Sequence, residues 1–139
     1  MPRKRLYPLE DLEDIPGTKV FTALRSREAY HLHKFCMSLM KADNRDEFRA
    51  DERAYLDKYA MTEEQKQGVL ERDLTRLIDL GGNMYFLVKL ASTDGLSAQK
   101  AVSTTSGMAA DEYAQMMLEG GRSPDGLRSK RMNASKGES

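Results

Sequence analysis

Hydrophobic positions recur at helical spacing through the middle of the chain. Ala29, Leu32, Phe35, Cys36, Leu39 and Met40 fall three and four residues apart and line one arc of a helix expected from Ser26 to about Lys41–Asp43. Asn44 followed by Glu47 has capping-box-like spacing, and Phe48, Tyr55, Leu56 and Tyr59 give the next helix a narrower apolar stripe. Thr62 with Gln65 is a second capping box, opening a helix whose buried face is Val69, Leu70, Leu74, Leu77 and Ile78 and whose stop is Gly81–Gly82. The run NMYFLVKLAS, Asn83–Ser92, is apolar almost all round. No other strand candidate exists for it to pair with, so a central helix capped by Asn83 is expected there. Met108–Glu119, with Tyr113, Met116, Met117 and Leu118, reads as a short last helix stopped by Gly120–Gly121. Between these two lies STDGLSAQKAVSTTSGM, Ser92–Met108, a soft, hydroxyl-rich stretch that reads as a loop.

The pattern therefore predicts an all-α fold: a single small helical domain of about five helices over 26–121, with arms at 1–25 and 122–139. Pro8, Pro16 and the turn-like DIPGT, Asp14–Thr18, make the first arm a bend and not a helix. The second has little to bury and is expected to be partly disordered.

Composition adds limits. A chain of 139 residues is one domain by ordinary size, and its four Phe, six Tyr and no Trp leave the core thin in aromatic area. Nine Met residues supply adaptable apolar surface instead. The lone Cys36 excludes an internal disulfide, and with no signal peptide and no long apolar run the chain reads as soluble and cytoplasmic, with no membrane contact. Net charge is zero, yet residues 1–5 and 122–139 are each +3, leaving a body of −6. An acidic body argues against nucleic acid as the main ligand.

Candidate chemistry is sparse. HLHKFC, His31–Cys36, resembles a metal site as text, but residues two apart on a helix point about 160° away from each other, so His31 and His33 cannot grip one ion. His33 and Cys36 lie on one side of the helix, but no further His or Cys exists to complete a zinc site, and a packed histidine beside a buried thiol is the expectation. GGN at Gly81–Asn83 is explained by helix stop and cap without an anion, and Asp94 before Gly95 by a turn. No catalytic residue and no metal ligand is assigned to this chain. The Met-rich last helix, the apolar fourth helix and the two arms point instead to a subunit with a partner to meet.

Particular strings then become informative. MSLMKA, GGN-x-YF, STDG and GGRSP, together with their surroundings from about Asp14 to Ser129 and in the same order, resemble the small (alpha) subunit of the protocatechuate 4,5-dioxygenase family, the type II extradiol dioxygenases. The resemblance implies a non-iron-binding chain in an α2β2 heterotetramer, whose large (beta) subunit holds a non-haem Fe(II) through two His and one Glu. It also implies that catechol acid and dioxygen react there, with acid/base groups on that partner. The segment after STDG is the part that reaches substrate, so Thr93, Asp94, Gly95 and Ser97 are carried over as lid residues. Relatives place a phenylalanine where this chain has Ala98, and an aromatic is common where Lys100 stands. Loss of a large side chain at a pocket wall removes roughly 3–5 kcal/mol of apolar contact in a closed core and less in an open cleft. A roomier lid and a bulkier catechol acid are expected, with Lys100 either a solvated lysine or a partner for a substrate carboxylate. The competing reading is a helical module that stabilises a partner without approaching substrate.

Overall fold

Side-chain caps divide the chain into more and shorter helices than apolar spacing alone suggests. The structure, a computed structural model, describes residues 19–121, and over these it has nine helices and no strand. They are α1 (Ala23–Glu28), α2 (Tyr30–Ser38), α3 (Ala42–Ala50), α4 (Glu52–Leu56), α5 (Glu63–Leu70), α6 (Leu74–Asp79), α7 (Met84–Thr93), α8 (Ala98–Ser106) and α9 (Ala110–Leu118). The all-α expectation holds, with more helices than the five expected. Residues 1–18 and 122–139, which include the DIPGT bend and most of both expected arms, lie outside the described residues. Phe21–Gln115 form one compact unit; of a second unit only residues 19–20 and 116–121 are described.

Two of the additional breaks fall at aspartate caps, Asp51 and Asp73. The first expected helix divides at Ala29, with Thr22 capping α1 through the backbone N–H of Arg25. Asn44 is not an N-cap: α3 starts earlier, at Ala42, and the Asn44 amide reaches back to donate to Ser38 O at 2.8 Å. Asp51 ends α3 in extended backbone and caps α4 by accepting from Ala54 N, so Phe48 and Tyr55 sit on different helices. The third expected helix divides at Glu71–Asp73, where Asp73 caps α6. The Thr62–Gln65 capping box is present in full, and Asn83 caps α7 by accepting from Tyr85 N.

The core of the Phe21–Gln115 unit runs through these elements. Leu32, Phe35 and Cys36 of α2 and Leu39 just after it are buried together with Phe48, Leu56, Val69, Leu77, Leu87 and Leu90. The few core aromatics are gathered in one place: Phe35, Phe48, Tyr55 and Tyr59 form one cluster with ring centroids 5.3–6.0 Å apart. Buried Tyr55 keeps its hydroxyl satisfied by Ser38 Oγ at 2.7 Å. Helix α7 packs on α2, and α8 packs on both α6 and α7. No helix among the described residues is long and apolar enough to cross a membrane.

The soft stretch is the main departure. Ser92–Met108 contains helix α8 instead of an extended loop, started by Ser97, which accepts from Lys100 N at 3.1 Å, and ended at Gly107 with φ 72°. Its hydroxyls are satisfied internally, Ser103, Thr104, Thr105 and Ser106 each donating to the carbonyl three residues back. Poor helix formers are held helical because Ala101 and Ser103 are buried against the body.

Candidate functional site

The joint between α7 and α8 carries the six residues singled out from sequence, and it is built from distant parts of the chain. At its base Thr93 is buried. Its hydroxyl donates to Lys89 O at 2.9 Å, and its own carbonyl accepts from Arg49 Nη2 at 2.6 Å. Asp94 follows as the C-cap of α7, and Arg72 donates to its carboxylate through Nε at 2.7 Å and Nη2 at 3.3 Å. Gly95, at φ 80°, takes the left-handed turn that reverses the chain, and Leu96 N closes it on Ala91 O at 3.0 Å. Leu96 packs against the core, and Ser97 caps the new helix.

These six residues therefore divide in two. Thr93, Asp94, Gly95 and Ser97 build the joint, whereas Ala98 and Lys100 project exposed side chains from the first turn of α8. Helical periodicity sets Ala98 and Lys100 about 160° apart, so only one of them can line a given wall. Ala98 shares its side of α8 with buried Ala101, and Lys100 shares its side with exposed Thr104. Arg49, Arg72 and Glu52, which hold the joint, were not singled out from sequence. They lie 20 or more residues from it, and no motif marks them.

The two histidines separate as their helical positions require. His31 is exposed, and His33 is buried between Phe21 and Phe86, stacked on the latter at a centroid distance of 4.4 Å. His33 Nε2 accepts from Asn83 N at 2.9 Å, which requires the neutral tautomer with its proton on Nδ1; burial lowers the pKa of this group. Cys36 is fully buried, and burial pushes its thiol up to about 12, so it stays protonated and unreactive. Among the described residues no group of three or more His, Cys, Asp or Glu side chains is placed to hold a metal ion. A resident iron does not fit these residues.

Beside the joint an open cleft of about 330 Å³ is lined by Leu39, Met40, Arg45, Lys89, Ser92 and Thr93. Lys89 lies over the Tyr85 ring at 4.7 Å, and Arg45 donates to Leu39 O and Met40 O. Neither cation has a salt-bridge partner among the described residues.

The described residues thus form a small helical body with a built joint at the α7–α8 turn. Residues 32–118, well over half of the chain, match the model of the family described as the LigA subunit of the aromatic-ring-opening dioxygenase LigAB, and the chain belongs to that family. It is thus a subunit of an aromatic ring-opening dioxygenase, and the family pairs it with a LigB subunit.

Proposed function

We propose that this chain covers and shapes the active site of an Fe(II)-bearing large subunit in an α2β2 assembly that opens the ring of a catechol acid, protocatechuate or a bulkier relative. The observation that carries the reading is the α7–α8 joint. It is held from α3 and from Arg72 between α5 and α6, and it projects a helix turn whose outer side chains at 98–100 are exposed. Such a turn can close over a partner's pocket without unravelling. Iron in the large subunit would supply binding of the catechol oxygens and activation of dioxygen; this chain's part is to exclude water, which strengthens electrostatics at the site and limits side reactions. Ala98, where relatives carry phenylalanine, makes the cover roomier and suits a substituted ring.

The exposed apolar surface around α2 and α7 supports a partner contact there. Phe21, Met37, Met40 and Tyr85 remain exposed, and Phe21, His33, Phe86, Tyr85 and Lys89 form a continuous chain of ring and cation contacts leading to the cleft. Arg45 and Lys89 line that cleft with no salt-bridge partner among the described residues, which suits an acidic group of the large subunit. Co-expression tests the role. The large subunit with this chain is expected to gain activity and a defined substrate range, and Ala98→Phe is expected to shift relative kcat/KM toward protocatechuate and away from bulkier catechol acids. If the large subunit alone shows unchanged kinetics and range, the chain only stabilises its partner.

A further inference from the structure

We propose that Arg72 is the positioning residue that sets where the lid helix α8 begins, by clamping Asp94 against Glu52; this rests on the reading of α8 as the lid. The first sign is backbone conformation. Arg72 is the one non-glycine residue at positive φ among the described residues, at 54°. It ends α5 in a Schellman arrangement, with Arg72 N on Val69 O at 3.0 Å and Asp73 N on Gly68 O at 2.9 Å. Glycine is the usual occupant of that place, and a side chain there is strained. A strained residue persists where its surroundings over-determine it.

The side chain supplies that determination. Its guanidinium donates to Glu52 through Nη1 at 3.2 Å and Nη2 at 2.5 Å, to Asp94 through Nε and Nη2, and to Val69 O at 2.7 Å. It also lies 5.3 Å from the centre of the Phe48 ring. One planar cation thus bridges two carboxylates, a geometry the point charge of lysine cannot reproduce. All three side chains are about one-third exposed or less, so salt screens the cluster less than it would a surface pair. Asp94 is three residues from Ser97, the cap of α8, and the turn between them is closed by backbone bonds. Fixing Asp94 therefore fixes the origin of α8. The interaction joins α4, the α5–α6 break and the end of α7 at one atom group, and α8 inherits its position from all three.

Arg72→Gly separates the clamp from the fold, because glycine suits the backbone while removing every side-chain contact. In the full chain, amide hydrogen exchange across Ala98–Ser106 is expected to rise roughly tenfold or more, with α2 unchanged. Arg72→Lys is expected to fall between the two, and Asp94→Asn to match Arg72→Gly. In the enzyme reconstituted with the large subunit, kcat/KM for protocatechuate is expected to fall about tenfold, chiefly through KM, since a displaced cover holds the ring less well. Unchanged α8 exchange in Arg72→Gly would overturn the clamp itself. Faster α8 exchange with unchanged kinetics would overturn the proposal through the lid reading on which it rests.

Discussion

Substituting His33 by Phe tests how α2 is tied to the start of α7. Phenylalanine keeps a ring against Phe86 and Phe21 but removes the acceptor for Asn83 N–H. The bond is only partly buried, so water recovers part of the loss, and a destabilisation of about 1–2 kcal/mol is expected near neutral pH. The effect must depend on pH in a definite direction. Burial holds the folded-state pKa of His33 below the ordinary 6.5, so protonation favours the unfolded chain. Above 6.5 both states are neutral and the contribution of His33 is complete. As pH falls below 6.5 and through the folded-state pKa, it is lost at up to about 1.4 kcal/mol per pH unit. Urea denaturation followed by circular dichroism at pH values of about 7.5, 6.5 and 5.5 reads this directly, with His31→Gln, at the exposed neighbour, as the control. The stability gap between the parent chain and His33→Phe should narrow as pH falls. A gap as wide at the acid end as at the neutral end would refute the reasoning.

Two further substitutions probe the joint and its support. At Gly82 an added Cβ would lie 2.6 Å from Leu77 O, a backbone atom with little freedom to yield, so Gly82→Ala should lower stability by about 2 kcal/mol, seen as a drop in Tm. Ser97→Ala removes the cap of α8, which should weaken that helix locally by about 1 kcal/mol; exchange of the α8 amides should quicken while the urea midpoint hardly moves.

Amino-acid order alone was enough to determine that the chain is helical, and most of its core. The apolar arc of α2, the Thr62–Gln65 box, the Asn83 cap and the glycine pair before it are local signals, readable because caps and periodicity act within one or two turns. The same locality explains why HLHKFC was legible as a packed histidine and a buried thiol. It also explains the errors. Val69 to Ile78 keeps helical spacing across a break that Asp73 makes, and only the folded body decides whether a cap outweighs a continuing stripe. Ser97–Ser106 reads as a loop by propensity, and it becomes a helix because Ala101 and Ser103 find a surface to bury against.

The joint shows the limit most clearly. Sequence resemblance marked Thr93 to Lys100, yet it left open which of these side chains build and which face outward. That division belongs to tertiary structure, since Arg49 lies 44 residues from Thr93 and Arg72 lies 22 from Asp94. Hydrogen bonds across such distances exist only once α3, the α5–α6 break and α7 are packed together. Their formation buries Thr93, fixes Asp94 at the end of α7, and leaves Ala98 and Lys100 to meet whatever lies beyond.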